Sequence, residues 1–124
     1  MRILLIDDSE VVRERLAALL TDLLNVDIVA TAQNALEGVD SIRRFRPDAV
    51  ILDIRMPVGT GIDVLNNIKR DSNAPIVIVL TNYPFAGYRQ RCLNAGADFF
   101  LDKSTEFDQI PKLFERFKQE WGSN

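Results

Sequence analysis

The sequence predicts one α/β domain in which a five-stranded parallel sheet carries five helices on its two faces. Five short apolar runs lack the alternation of apolar and polar residues, which is typical of strands buried on both faces. Each run is followed by a segment with apolar residues at three- and four-residue spacing, as on one face of a helix. Strand and helix patterns that alternate and are joined by short turns indicate a parallel sheet covered on both sides.

The first two strand–helix units fill the N-terminal part of the chain. Residues 3–6 form the first apolar run, and Ser9 or Asp8 is predicted to cap the next helix by accepting a hydrogen bond from its free amides. The inward face of that helix is formed by Val12, Leu16, Leu19, Leu20 and Leu23. Residues 26–30 form the second strand, and Asn34 is predicted to cap the second helix. The inward positions predicted for the second helix are Leu36, Val39, Ile42 and Phe45.

The third unit is organised around Asp53. Residues 49–52 are a continuous apolar run, so Asp53 is placed at the carboxyl end of a buried central strand. A turn rich in proline and glycine follows, through Gly59 and Gly61. The third helix must stop before Pro75. Its apolar positions are Ile62, Leu65 and Ile68.

The fourth unit begins with the most apolar strand of the chain, residues 76–80, which ends at Thr81. Proline and glycine interrupt the segment after this strand, so the fourth helix is expected to start late, near Phe85. The helix should run to about Asn94, with Gly96 just past its end.

The fifth unit contains a short strand, residues 97–101, which ends near Lys103. A final amphipathic helix carries Phe107, Ile110, Leu113, Phe114, Phe117 and Trp121. We expect residues 1–121 to form the domain and residues 122–124 to be a short tail, with no effector domain in this chain.

The carboxyl ends of the strands are predicted to form one site. Five strands in a chain of 124 residues suit the flavodoxin-like doubly wound order 2-1-3-4-5, in which the first and third strands are neighbours. That order sets Asp7 and Asp8 beside Asp53, and it brings Thr81 and Lys103 to the same edge. Ligands of open parallel sheets bind at this edge.

Composition excludes several classes of function. The chain has no histidine, which removes the commonest zinc ligand and any imidazole acid or base. Cys92 is the single cysteine, so no internal disulfide can form, which favours a cytoplasmic location. A net charge of -3, with acids and bases interspersed, provides no basic surface for nucleic acid or membrane. The apolar start before Asp7 is too short for a signal peptide or a membrane span.

Three carboxylates crowded at one edge repel one another, and a hard divalent cation with oxygen ligands relieves that repulsion. Mg²⁺ suits the site better than Ca²⁺, because one or two carboxylates with waters can hold it and no caging loop of calcium ligands is present. A carboxylate beside such an ion can attack a phosphoryl group and form an aspartyl phosphate. Lys103 supplies a positive charge for the incoming oxygens, and Thr81 supplies a hydroxyl donor.

Each of these residues also has a simpler interpretation when it is taken alone. A single aspartate after a strand commonly caps a helix or forms a turn. Thr81 fits a hydroxyl at a strand end, and Lys103 fits a solvated surface charge. An acid pair, a third acid, a hydroxyl and an amine at four strand ends are hard to obtain by chance, so we interpret the set as a functional site.

Four short motifs, taken together, resemble one known family. The motifs are IDDS with Asp7 and Asp8, LDIRMPVGTG with Asp53, LT with Thr81 and DK with Lys103. As a set they resemble the receiver domain of two-component response regulators, the CheY-like domains. The resemblance covers essentially the whole chain.

The resemblance implies a phosphoacceptor site that requires Mg²⁺. Asp53 would accept a phosphoryl group from a phosphohistidine of a sensor histidine kinase or phosphotransfer protein. Asp8, Asp53 and the backbone carbonyl of Arg55 would ligate the ion directly, while Asp7 would act mainly through water.

The resemblance also implies a switch. Thr81 and Lys103 would bind the phosphoryl oxygens, and Phe100 would swing inward with Thr81 on activation, although a plain core aromatic explains Phe100 equally well. The signal would pass through the face of the fourth helix, fifth strand and fifth helix to an output domain or partner protein. Candidate contact residues there, which can equally cover the sheet, are Phe85, Tyr88 and Trp121.

The sequence departs from the family pattern beside two site residues. Asn82 follows the threonine where a small residue is common, which narrows access to the acceptor. Ser104 follows Lys103 where a proline with a cis bond is usual. Arg55 and Tyr83 stand at positions where family members tune phosphate lifetime, and we expect them to shield the acyl phosphate from water. The simpler alternative is that both are exposed loop side chains.

Our leading hypothesis is a phosphorylation-switched signalling module that catalyses only its own phosphorylation and slow dephosphorylation. A receiver-like binding module that works without phosphate is the alternative, which Asn82 would permit. A phosphohydrolase with an aspartate nucleophile is disfavoured because Arg55 replaces the second acid that such enzymes use. A flavin mononucleotide carrier is disfavoured because the first turn is acidic.

Overall fold

Strands and helices alternate along the chain in the computed structural model, which describes residues 1–23, 26–54, 56, 60–68, 73–82 and 85–122. The strands of this part of the chain are β1 (Arg2–Ile6), β2 (Asp27–Ala32), β3 (Ala49–Leu52), β4 (Ile76–Thr81) and β5 (Phe99–Asp102). The helices are α1 (Glu10–Thr21), α2 (Ala35–Phe45), α3 (Gly61–Ile68), α4 (Ala86–Asn94) and α5 (Gln109–Gly122). None of the helices described is long and apolar enough to span a bilayer.

All strand pairs are parallel, and the sheet has the order β2-β1-β3-β4-β5. The predicted doubly wound order is therefore confirmed. Ile6 pairs with Leu52 at the ends of β1 and β3. Thr81 pairs with Asp102 at the ends of β4 and β5. The loops that follow these four strands consequently start at the same edge of the sheet.

The sheet is buried on both faces, and alternate residues of each strand serve opposite cores. One core contains Leu4, Val50 and Val77 and is covered by helices α2, α3 and α4. The other contains Ile51 and Ile78 and is covered by α1 and α5. This two-sided burial is why the strands read as continuous apolar runs in the sequence.

The predicted helix ends are confirmed at three positions. The Ser9 hydroxyl accepts a hydrogen bond from the Val12 amide at 3.2 Å and caps α1. The Asn34 side chain accepts one from the Glu37 amide at 2.9 Å and caps α2. Gly96, with φ of 111°, follows the last turn of α4 in the left-handed region that favours glycine.

The inward face predicted for α2 is partly wrong. Leu36 is 66% exposed, while Ala35, Gly38 and Ile42 are buried. A Cβ atom on Gly38 would lie 2.8 Å from Cδ1 of Ile6, so small residues let this helix approach the sheet closely. Leu36 lies about 100° around the helix from Ala35 and therefore points to solvent.

Three further predictions are displaced by one or two residues. β2 begins one residue later than predicted, at Asp27. β5 begins two residues later, at Phe99, because the Ala97 amide donates to the Cys92 carbonyl at the end of α4 instead of joining the sheet. Phe107 is buried but precedes α5 in a turn. The side chain of Trp121 lies outside the part of the chain that can be described.

Candidate functional site

Three acidic side chains converge where β1 and β3 end. One carboxylate oxygen from each of Asp7, Asp8 and Asp53 lies within 4.8 Å of the others. The Asp7 amide donates to the Ala32 carbonyl at 3.0 Å, and the Asp53 amide donates to the Ile6 carbonyl at 2.9 Å. These bonds extend the parallel ladder by one residue, so the sheet itself fixes where the acids start.

Lys103 reaches this acidic group from the end of β5. Its Nζ atom lies 2.8 Å from Oδ2 of Asp7 and 3.5 Å from Oδ2 of Asp53. The lysine side chain is only 9% exposed, so the ion pairs are screened little by solvent. The Lys103 amide also donates to the Thr81 carbonyl at 2.8 Å, which joins the β5 end to the β4 end.

Burial differs among the three carboxylates. Asp7 is 3% exposed and Asp53 is 6% exposed, whereas Asp8 is an exposed residue. Both oxygens of Asp7 already have partners, since Oδ1 accepts from the Ser9 amide at 2.9 Å and Oδ2 contacts Lys103. Asp53 also has a partner on each oxygen, the Ile54 amide on Oδ1 and Lys103 at 3.5 Å from Oδ2, so the exposed Asp8 is the acid most open to a ligand from solvent.

Burial raises the pKa of Asp53 from 3.8 to about 6. The Lys103 ammonium group opposes this rise, the neighbouring Asp7 carboxylate adds to it, and the Ile54 amide, which donates to Oδ1 at 2.8 Å, lowers it. Asp53 therefore stays largely ionised at neutral pH, so its carboxylate lone pairs are not taken up by a proton.

The residues present fit a hard divalent cation. The cluster offers only carboxylate oxygens, the donors that Mg²⁺ prefers, and one of its members is open to solvent for entry and for bound water. The three carboxylates outnumber the lysine charge, so the site remains negative and a dication would relieve the repulsion.

Thr81 and Phe100 lie on the two strands beside this cluster. Thr81 is fully buried at the end of β4. Phe100 is buried in β5 on the side of the sheet that α2, α3 and α4 cover. Arg89 of α4 places its guanidinium carbon 5.9 Å from the Phe100 ring centroid and donates to the Phe100 carbonyl at 3.4 Å.

Three further residues were predicted to affect the site, and only one of them lies in the described part of the chain. Asn82 is exposed just after Thr81. Arg55 and Tyr83 lie outside the described residues, so the predicted carbonyl ligand and the predicted shielding of the acyl phosphate stay predictions.

Two contributors to the site were missed from the sequence. Arg13 of α1 donates from Nη1 to the Asp7 carbonyl at 2.6 Å. Gly61 begins α3 where an added Cβ would lie 2.8 Å from Cα of Ile54, the residue after Asp53, and closer still to the Asp53 carbonyl oxygen. The sequence offered one signal for each of these residues. Arg13 stands in the first helix, about one turn after the acid pair, and Gly61 stands at the start of the third helix.

Comparisons with known proteins agree on one family. Residues 3–115 match the response regulator receiver domain family. The chain is 34% identical over 112 residues to the transcriptional regulatory protein LnrK of Bacillus subtilis, which covers 90% of this chain and 51% of that protein. It is 37% identical over 108 residues to a protein-glutamate methylesterase/protein-glutamine glutaminase of Hahella chejuensis, covering 86% of this chain and 28% of that protein. The chain thus spans about half or less of these relatives.

Solved structures give the same result. The response regulator domain of Thermotoga maritima CheB is 29% identical, with a TM-score of 0.83, and the match covers 96% of this chain and 94% of that one. A chain of the CheX-CheY-BeF3-Mg²⁺ complex of Borrelia burgdorferi is 27% identical, with a TM-score of 0.79 and coverage of 92% and 89%. The resemblance and fold predicted from the sequence are confirmed: this chain belongs to the response regulator receiver domain family of two-component systems.

Proposed function

We propose that this receiver domain takes a phosphoryl group onto Asp53 from a sensor histidine kinase or phosphotransfer protein, and that the phosphorylated form signals to an output domain or partner. The observation that carries the proposal is the pairing of a buried carboxylate with a buried ammonium group, Asp53 with Lys103, beside two further acids. A buried lysine that faces acids at a sheet edge provides the charge that transferred phosphoryl oxygens need.

In the transfer, an Asp53 carboxylate oxygen forms a bond to phosphorus while the bond from phosphorus to the donor imidazole nitrogen breaks. The electron pair of the broken bond stays with the imidazole, which is then protonated. The Lys103 ammonium group, 3.5 Å from Asp53, would move from the carboxylate to the incoming phosphoryl oxygens. The buried Thr81 hydroxyl would donate a hydrogen bond to the same oxygens.

Asp8 and Asp53 would hold Mg²⁺ directly, with the Arg55 carbonyl as a further proposed ligand. Asp7 would act mainly through water, as the family resemblance implies, and its contact with Lys103 at 2.8 Å is closer than the 3.5 Å contact between Lys103 and Asp53. A bound Mg²⁺ supplies charge neutralisation and alignment for the phosphoryl oxygens. The similar chain from Borrelia belongs to a complex that contains BeF3 and Mg²⁺, which supports Mg²⁺ as the ion of this site.

The face formed by α4, β5 and α5 would bind the output domain or partner, and phosphorylation would change the conformation of this face. Phe100 is in contact with α4 through Arg89, so a change in the position of its ring would change what α4 packs against. Phe85, which is exposed, and Tyr88 form an aromatic pair at the start of α4, with ring centroids 6.3 Å apart. This pair is the proposed partner contact on that face.

The test is intact-protein mass spectrometry after incubation with acetyl phosphate and Mg²⁺. We expect a mass gain of about 80 Da in the wild type and none in Asp53→Asn or after chelation. Asp108→Asn is the matched control, since Asp108 is an exposed acid that is not part of the acidic cluster, and it should be modified like the wild type.

The competing functions give different results in this assay. No mass gain from either acetyl phosphate or a cognate kinase would contradict the proposal and favour a binding module that works without phosphate. Repeated turnover of a phosphate ester would instead indicate a phosphohydrolase.

A further inference from the structure

A short turn after β5 holds the backbone on both sides of Lys103. Oδ1 of Asp102 accepts hydrogen bonds from the Ser104 amide at 2.9 Å and from the Ser104 hydroxyl at 2.7 Å. Oε1 of Glu106 accepts from the Asp102 amide at 3.0 Å, and the Glu106 amide donates to the Asp102 carbonyl at 2.8 Å. Asp102 and Glu106 therefore bind each other in both directions, and Lys103 lies between them.

Both ends of this turn are anchored in the fold. On one side, the Lys103 amide donates to the Thr81 carbonyl at 2.8 Å. On the other side, Phe107 is buried, and the guanidinium carbon of Arg15 lies 4.1 Å from its ring centroid. Residues 102–106 are thus a closed segment between two fixed points, and its conformation determines where the Lys103 side chain begins.

A lysine side chain is long and flexible, so the location of its ammonium group depends on how firmly its backbone is held. The Lys103 ammonium group must stay within reach of both Asp7 and Asp53, at 2.8 and 3.5 Å. Ser104, the next residue, has none of the restraint on φ that a proline would impose. In this chain the side-chain hydrogen bonds of the turn supply the restraint.

We propose that Asp102 and Glu106 are positioning residues for phosphoryl transfer, because their hydrogen bonds fix the backbone of Lys103 and so keep its ammonium group at Asp53. The inference rests on the proposed function. The Asp102 carboxylate is directed to Ser104, and it acts through Lys103 instead of touching the reacting atoms.

In this proposal Asp102 acts by accepting hydrogen bonds from Ser104, and its negative charge is not required. An asparagine at position 102 keeps Oδ1 and can close the same turn, whereas an alanine cannot. The matching pair at position 106 is Glu106→Gln, which keeps an acceptor for the Asp102 amide, and Glu106→Ala, which removes it. Asp108→Ala controls for the loss of one exposed acid near the turn.

Two readouts test the proposal on the full chain. The first is the rate of phosphorylation of Asp53 by acetyl phosphate at saturating Mg²⁺. The second needs no phosphorylation: it is the ¹⁵N–¹H signal of the Lys103 ammonium group, which burial and the Asp7 ion pair protect from exchange with water. Circular dichroism confirms that each variant is folded.

We expect Asp102→Ala and Glu106→Ala to slow phosphorylation about five- to ten-fold, the loss expected for one or two hydrogen bonds. Both should also lose the Lys103 ammonium signal. Asp102→Asn, Glu106→Gln and Asp108→Ala should keep the signal and stay within about two-fold of the wild-type rate. Ser104→Ala, which removes only the hydroxyl bond, serves as the milder variant if Asp102→Ala does not fold, and it should weaken the same signal.

The proposal is overturned if Asp102→Ala behaves like Asp108→Ala in both readouts. It is also overturned if Asp102→Asn lowers the phosphorylation rate as much as Asp102→Ala does. The negative charge of Asp102, and not its hydrogen bonds, would then account for the loss of rate. If the wild type is not phosphorylated at all, the proposed function fails, while the ammonium signal still decides whether the turn positions Lys103.

Discussion

At the scale of single residues, Asp53 is an acid held where burial disfavours its charge. Its pKa of about 6 exceeds the 3.8 of an exposed aspartate, so the folded protein keeps a proton there that the unfolded chain has already released. The stability that comes from this group is present below pH 3.8 and is lost as the pH rises through 6. At neutral pH the ionised Asp53, the proposed acceptor, therefore lowers the stability of the fold.

The first prediction concerns Asp53→Asn, which removes this titration. In metal-free buffer the variant should be more stable than the wild type by about 2 to 3 kcal/mol at pH 7.5, with the difference shrinking toward zero near pH 4. Urea unfolding of both proteins across this pH range measures it. A difference that does not change with pH, or one that matches Asp108→Asn, would contradict the account.

The second prediction concerns Lys103→Met, which leaves Asp7 and Asp53 without the cation between them. In chelator the free energy of unfolding should fall by about 3 kcal/mol, because two buried carboxylates lose their counter-charge. Mg²⁺ should restore part of that loss by binding the folded site. Urea unfolding with and without Mg²⁺ gives both values. Lys112→Met, at an exposed lysine, is the matched control; a response to Mg²⁺ no larger than in this control would be inconsistent with the prediction.

Much of the site could be predicted residue by residue. The acids and Lys103 follow strands, and Thr81 ends one. Because parallel strands end at one edge, the convergence of these residues followed from topology alone. Arg13 and Asp102 could not be found this way. Their contributions depend on where a flexible side chain is directed and on hydrogen bonds within a turn, which the residue pattern does not specify.

At the scale of elements, α3 is held against the end of β3 by a glycine. The Gly61 amide donates to the Ile54 carbonyl at 2.7 Å, and the added methyl group of an alanine would meet backbone atoms that cannot move aside. The start of this helix and the position of Asp53 are therefore coupled.

The third prediction compares two glycine substitutions. Gly61→Ala should destabilise the domain by about 2 kcal/mol or more, because α3 must shift away from Asp53 and Ile54. Gly87→Ala, in α4, meets no atom within 4 Å and should stabilise it by up to about 1 kcal/mol through helix propensity. Urea unfolding distinguishes them, and equal effects from the two variants would show that the close approach is unimportant.

The fourth prediction tests the corrected face of α2. Ile42→Ala should cost about 2 to 4 kcal/mol because it empties a buried position, whereas Leu36→Ala should change stability by less than about 0.5 kcal/mol. Thermal or urea unfolding measures both. A large loss of stability in Leu36→Ala would show that Leu36 is buried, as predicted from the sequence, and would contradict the corrected face.

The error in α2 has a general physical reason. Hydrophobic spacing indicates a helix correctly, but the rotation of the helix about its axis depends on which face can approach the sheet most closely. Here that face contains Ala35 and Gly38. These small residues contribute little to the hydrophobic pattern, so the pattern did not indicate that they face the sheet. The shifts of β2 and β5 have a similar origin, since a strand begins where backbone pairing begins and not where apolar residues begin.

At the scale of the whole molecule, the sheet edge that carries the proposed phosphorylation site is connected to both cores. The core that contains Phe100 also contains residues of α2, α3 and α4, while the other face of β5 contributes Leu101 to the core under α1 and α5. A change at the ends of β4 and β5 is therefore in contact with both layers. The strand order that produces this arrangement followed from chain length and pattern, because few topologies satisfy five parallel strands with short connections.

The most direct test of the central claim is to trap the acyl phosphate chemically. After phosphorylation with acetyl phosphate and Mg²⁺, borohydride reduces an aspartyl phosphate to homoserine, and peptide mass spectrometry locates the converted residue. We expect homoserine at position 53 and unmodified aspartate at positions 7 and 8. Homoserine at Asp7 or Asp8, or a phosphorylated protein with no homoserine at all, would contradict it.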